Sequence, residues 1–242
     1  MNTLNIEIEA ISNLALQVMQ AVLDENDKVK RFEEDDSGPL ALASALSDFF
    51  QIASALQASD QEFDPGQVSE LADYGLDLLD RLSFQSQSLE LMKHRELVSR
   101  MFASIAVWFA RRGAELNNLT GAADGFGRLA NGLNDTAELA AMCGLMEEVI
   151  EAASAELARD EDRSEHWRPW RVLNLNQGIV ATRSLDPQLI EQTYEQLTRR
   201  LPHDMPGFLA NGKRNMIGQN VPDEVQEVVK RYADKWPAPL AH

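Results

Sequence analysis

Apolar residues in this chain recur at the helical spacings of three and four over long stretches, and that pattern points to packed helices. Leu4, Ile8, Ile11, Ala15, Val18 and Val22 step along one stripe of one helix. Ile6 and Ile8 alternate as a strand would, but the run is too short to compete with the longer pattern. β-Branched residues are sparse, so nothing points to a sheet.

Further helices follow from their start and stop chemistry. One begins at Pro39, with Ser37 as its cap, and runs to about Gln57. Asp64-Pro65 and Asp186-Pro187 each pair a carboxylate for the orphan amides with a proline that has no amide to leave unpaired. A long helix is expected from about Ser88 to Leu116. Arg111 and Arg112 suit its carboxyl end, and Gly113 is a possible terminator. Others are expected over about 122–133, from Asp135 to about Leu157, over Trp170–Thr182 and over Pro222–Lys235. Asp135 and Glu138 have capping-box spacing. Residues 202–221, rich in Gly, Asn and Pro, are expected to be an ordered loop with at most a short helix. "PAPLAH" reads as a frayed tail.

The expectation is an all-α protein of about nine helices in successive antiparallel hairpins. They form either an irregular α-α superhelix, with stacking like that of tetratricopeptide repeats, or a large helical bundle. "DPGQVSELADYGLDLL" and "DPQLIEQTYEQLTRRL" look like one unit used twice, which favours stacked pairs. Nothing, however, repeats at the tetratricopeptide period. One domain over 1–242 is expected, with a possible subdomain boundary near 159–166, where "RDEDRSE" forms a charged connection.

Hydrophobic residues make up 44% of the 242, enough for a core that needs no staples. The single cysteine, Cys143, can form no internal disulfide and sits among small and apolar neighbours, the setting of a buried structural thiol. The amino terminus has neither the basic nor the apolar region of a signal peptide. No run reaches the roughly 18 apolar residues of a membrane span. A cytoplasmic location is expected on these grounds.

The net charge is −17 and unevenly laid out. Residues 1–162 hold 11 Lys and Arg against 30 Asp and Glu, whereas residues 163–242 hold 11 against 9. Such acidity argues against nucleic acid and anionic membranes as partners.

Several strings resemble catalytic motifs and lack the context that gives them chemistry. Gly207 to Lys213 has the spacing of a phosphate-binding loop, but it has no preceding strand, and Arg214 stands where a Ser or Thr would hold Mg²⁺. Gly125, Gly127 and Ala130 match a dinucleotide fingerprint without its strand; close helix–helix contact accounts for them. His203-Asp204 lies between two prolines in a turn, where Asp204 would cap and His203 would face water. The acidic run from Glu147 to Glu165 is dense enough for a metal site, but one run does not show a second facing helix. No catalytic residue, metal ligand or cofactor is assigned.

"HWRPWR" at 166–171 is the most unusual segment, because Trp and Arg are the residues most enriched at binding hot spots. The competing reading wedges Trp167 and Trp170 against the next helix, with Pro169 opening it. The candidate binding surface is 163–215, with Trp167, Arg168, Trp170, Arg171, Lys213 and Arg214 as its contacts. The loop "GFLANGKRN" would add backbone amides for an anion. The expected function is a helical adaptor for a protein or peptide partner, an acidic one among the candidates. The alternative is an enzyme or small-ligand-binding protein with an anion-binding pocket between helices in the same region.

Overall fold

In the computed structural model, residues 4–59, 63–159, 168–216 and 221–237 are described, and among them the chain is all-α. The elements are α1 (Ile8–Val29), α2 (Pro39–Ala58), α3 (Pro65–Ser88), α4 (Arg95–Ala110), α5 (Thr120–Gly132) and α6 (Thr136–Glu151). They continue with α7 (Ala155–Arg159), α8 (Pro169–Arg183), α9 (Pro187–Arg200), α10 (Met205–Met216) and α11 (Asp223–Lys235).

The helix α4 organises the first half. Its sequence "MFASIAVWFA" is apolar on every side, and a helix of that kind must be surrounded. It packs against α1, α3, α5 and α6 at once, so this part is a bundle around a central helix, not a row of pairs touching only their neighbours. Trp108 is buried against Phe109, and its indole N–H donates to Gln57 Oε1 at 3.1 Å. The α4–α5 crossing is close: a Cβ on Gly125 would fall 2.7 Å from the Ser99 carbonyl oxygen. That contact explains Gly125 as a packing residue of α5, while a Cβ on Gly127 would fall 3.0 Å from Asn176 Nδ2 of α8.

The second half is laid against the first. The helix α8 packs on α5, α6 and α9; α9 packs on α11, and α11 on α10. The buried apolar residues form one contiguous cluster from Leu4 to Val229. The segment 160–167, which includes the expected subdomain boundary, lies outside the described residues.

Asp64, Asp135 and Asp186 cap their helices as their spacing predicts, each side chain accepting from two backbone amides. Gly113 ends α4 with φ +76°. Other expectations need correction. Gly38 is the N-cap of α2, and Ser37 turns its hydroxyl to Asp35 at 2.7 Å instead. The helix expected over Ser88–Leu116 is α4 alone, because α3 runs on to Ser88 and closes with Glu90 at φ +57° and a 3₁₀ turn at Met92–His94. The helix expected to reach Leu157 stops at Glu151. There the backbone of 152–154 turns aside to pair with Leu116, Leu116 N donating to the Ala152 carbonyl at 2.7 Å and Ser154 N to the Leu116 carbonyl at 2.9 Å.

The largest correction is at 202–221. Residues 205–216 form α10 despite Pro206, Gly207 and Gly212. Pro206 falls in the first turn, where its missing N–H costs nothing, and buried Met205 and Leu209 anchor the helix to the core. One helix among the described residues, α2, is also long and apolar enough to cross a membrane, with mean hydropathy 1.3 over its best window and 33% of that window buried. Its serines and glutamines keep it from reading as a continuous apolar run.

Candidate functional site

A cleft of about 800 Å³ opens between α8 and α10, bounded also by the start of α6 and by Val221 ahead of α11. Helical spacing builds both walls. Arg171, Leu175, Ile179 and Thr182 recur every three or four residues on one face of α8, and Arg183 follows at its end. From α10 come Gly207, Phe208, Asn211 and Gly212, two adjacent pairs one turn apart. Leu139 and Leu185 complete the apolar lining. Ile179 is 47% exposed, so a large hydrocarbon side chain on this wall faces open space.

The two glycines of α10 are notable for what they lack. Neither has positive φ, and a Cβ added to either would meet nothing within 4 Å. Gly178 of α8, by contrast, is required: a Cβ there would strike Leu197 and Phe208 at 2.6–2.7 Å. Glycine in a helix interior costs about 1 kcal/mol relative to alanine. At Gly207 and Gly212 the fold imposes no steric or dihedral demand for it. Their effect is to leave room in the cleft.

The cleft's charges divide into a neutralised pair and a lone cation. Arg171 Nε donates to Asp204 Oδ1 at 2.9 Å, and a second guanidinium nitrogen donates to the same oxygen, both side chains being about one-fifth exposed. The Arg183 guanidinium donates to the carbonyl oxygens of Ala130 at 2.8 Å and Leu133 at 2.5 Å, which close the end of α5. A cation there complements the helix dipole. No carboxylate among the described residues pairs with it, so the cleft holds one unneutralised positive charge. Thr182 is committed elsewhere, its hydroxyl bonded to Tyr194 Oη at 2.8 Å, and burial pushes that phenol up to about 12.

The expected contacts disperse around this cleft. Arg171 lines it. Trp170 is 4% exposed and packs into the core behind it, the wedged arrangement with Pro169 as the first residue of α8. Arg168 occupies the N-cap position of α8 and is half-buried. Lys213 and Arg214 are exposed on α10; Lys213 Nζ lies 4.0 Å from Asp234, and Arg214 bonds the side chain of Asn211 at the cleft wall. Trp167 lies outside the described residues, as do Arg163 and His166. Because 205–216 is a helix, the amides of "GFLANGKRN" are not arranged as an anion-binding loop, and that part of the expectation falls.

Three carboxylates of the acidic run, Glu147, Glu148 and Glu151, are paired within the fold. Arg200 Nη2 reaches Glu147 at 2.7 Å and also Glu151, while Gln177 and Gln196 each donate to Glu147 at 2.7 Å. Arg111 binds Glu148 at 2.6 Å. Burial alone would raise the Glu147 pKa, but the hydrogen bonds and charge of Arg200, with Gln177, hold it below the usual glutamate range. Residues 160–165 of the run lie outside the described residues. No three His, Cys, Asp or Glu side chains among the described residues cluster as a metal site. Cys143 is buried, and burial pushes its thiol up to about 11.

Sequence reasoning missed Arg183, Ile179, Leu185 and Phe208. Their roles depend on carbonyls and helices 50 or more residues away in the case of Arg183, which no local pattern announces. The pair of glycines in one helix was the available signal, and it reads as a loop until the helix is seen. No protein-family model matches the chain, and neither a curated protein nor a solved structure shows significant similarity to it.

Proposed function

We propose that this chain is a non-catalytic binding protein, and that the α8–α10 cleft receives an apolar peptide segment of a protein partner, with an acidic group at one end. The observation that carries this reading is the pair Gly207 and Gly212, which weaken α10 without any demand from the fold and widen a cleft whose opposite wall exposes Ile179. A groove between two helices with apolar walls is the receiving half of helix-in-groove recognition. Arg183 inside, with Arg214 and Lys213 on the outer turns of α10, supplies positive charge for an acidic end. Residues 1–162, with 30 acidic against 11 basic groups, would repel polyanions.

A second reading takes the same cleft as the site of a small amphiphilic carboxylate. Its support is the volume, which lies inside the range of about 300–1,000 Å³ typical of small-molecule pockets. Quantitative affinity capture from the native host separates the two when wild type is compared with Gly212→Leu and Ile179→Asp. A protein retained by wild type and lost from both variants supports the peptide reading. Equal capture by all three, with a small molecule released on denaturing wild type but not Gly212→Leu, would replace it with the second.

A further inference from the structure

We infer that the groove where the start of α4 meets the end of α5 binds a small phosphomonoester, its phosphate held by Lys93, Arg95, Arg100 and Arg128 and its carbon skeleton by an apolar floor. The groove shares no lining residue with the α8–α10 cleft, and the inference does not depend on that cleft's function.

The charge layout isolates this place. Residues 1–162 hold 11 basic groups against 30 acidic ones, yet four of the 11 line one groove of about 720 Å³. Glu96 is the one carboxylate in its lining among the described residues. Lys93 lies in the 3₁₀ turn, Arg95 is the first residue of α4, and Arg128 stands one turn before the end of α5. Arg100 donates to Glu96 Oε1 at 2.8 Å, and Arg128 donates to Asp124 through Nε alone, at 2.7 Å. Both are i,i+4 pairs with carboxylates 68% and 63% exposed, weak pairs that an incoming anion can displace. The side chains of Lys93 and Arg95 have no carboxylate or hydrogen-bond acceptor among the described residues.

The fold gains nothing from these two cations. They stand at the amino end of α4, where the helix dipole is positive and a basic residue is unfavourable. An anion there would meet both cations and the same dipole, and the N-cap residue His94 makes no side-chain bond to the first turn. At the carboxyl end of α5, two carbonyls that would repel an anion, those of Ala130 and Leu133, already accept from Arg183.

Charge and size select the ligand. Two unpaired cations match a phosphomonoester, which carries about −1.5 to −2 near neutral pH; a carboxylate or sulfate ester carries one charge fewer. The volume lies in the range of about 300–1,000 Å³ typical of sites for organic molecules, so the phosphate brings a carbon skeleton with it. Leu4, Leu129, Leu133 and Met142 supply the apolar floor for it. A nucleic acid is the poorer occupant: the acidic excess of residues 1–162 repels a long phosphate chain, whereas a single phosphate responds mainly to charges within a Debye length of about 8 Å.

The test is isothermal titration calorimetry of the full chain with phenyl phosphate, phenyl sulfate and inorganic phosphate as probes. Phenyl phosphate should bind one to one and at least tenfold more tightly than either of the others. Lys93→Ala combined with Arg95→Ala should weaken it tenfold or more while Tm stays level or rises, since two cations leave the positive end of a helix. Gly132→Asp provides a second variant. A Cβ there meets nothing within 4 Å, and the added carboxylate in the lining should weaken phenyl phosphate by a similar factor with the helical signal intact. Lys28→Ala, which removes a surface cation paired with Glu25, should leave the affinity unchanged. The inference is overturned if wild type shows no binding of phenyl phosphate at about 10 mM. It is also overturned if inorganic phosphate or phenyl sulfate binds as tightly, or if Gly132→Asp binds phenyl phosphate as well as wild type does.

Discussion

Replacing Gly207 and Gly212 together by alanine should stabilise this protein while harming its binding. Both lie inside α10, both have negative φ, and an added methyl at either meets only open space. Each substitution therefore creates no clash, and it removes the backbone entropy that glycine loses on entering a helix. The gain is about 1 kcal/mol at Gly212 and a fraction of that at Gly207 in the first turn, or about 1–2 kcal/mol for the pair if α10 unfolds with the whole. For a chain of this length that corresponds to a rise of roughly 2–8 °C in Tm. Urea denaturation followed by circular dichroism should show a higher midpoint at unchanged slope, which identifies a stability change and not a change in surface exposed. Because α10 is peripheral, amide hydrogen exchange within 207–213 should be followed in parallel: slower exchange there captures the gain even if α10 opens before the core. If the double variant is destabilised, or if exchange in α10 accelerates, the glycines serve the fold itself and their use as evidence for a ligand collapses.

The core makes a sharper demand: Trp108→Ala, which deletes a buried ring edge-on to Phe109 and under the Arg112 guanidinium, should cost about 3–5 kcal/mol by denaturant titration, and a cost below about 1 kcal/mol would refute the central position of α4. Arg200→Ala should cost about 2–3 kcal/mol, less than the 3–5 of a fully buried pair because Arg200 and Glu147 keep 16% and 24% of their side-chain exposure. The sign of the pH effect follows from the depressed Glu147 pKa: the stability it contributes is present above the ordinary glutamate range and is lost as pH falls through the lowered folded value, so Glu147→Gln should flatten the acid limb of the stability–pH curve, and an unchanged limb would refute the pairing. Native Cys143 should resist a thiol reagent at pH 8, where a thiol raised to about 11 is almost wholly protonated as well as covered, and should react promptly in denaturant; equal rates would place it at the surface.

What the sequence disclosed and what it hid divide along a physical line. Local chemistry was legible. The Asp64, Asp135 and Asp186 caps and the Gly113 stop are each decided by a few adjacent residues, and they appear where spacing puts them. Remote contacts were not. Ending α6 at Glu151 depends on the Leu116 backbone, and making a helix of "MPGFLANGKRNM" depends on core contacts at Met205 and Leu209 that outweigh two glycines. The site suffered for the same reason. Arg171 was visible as part of an unusual segment, but its partner Asp204 lies 33 residues on, and the lone charge of Arg183 is defined only by the carbonyls of α5. Trp170 satisfied the composition of a hot spot and the geometry of a core residue equally well, and only its 4% exposure separates the two.

Site-specific photo-crosslinking from position 179 tests the central claim most directly. A benzoylphenylalanine placed by Ile179→benzoylphenylalanine would stand in the cleft facing Gly207, Asn211 and Gly212 across the gap. Irradiated in the native host, it should trap one discrete protein adduct, and peptide mapping should locate the attachment in an apolar segment flanked by acidic residues. Adding Gly212→Leu should abolish the adduct while the protein stays folded. An adduct that persists with the cleft filled, or labelling from position 179 that yields no protein adduct while an equivalent probe on the outer face of α3 does, would contradict the assignment of this cleft as the binding site.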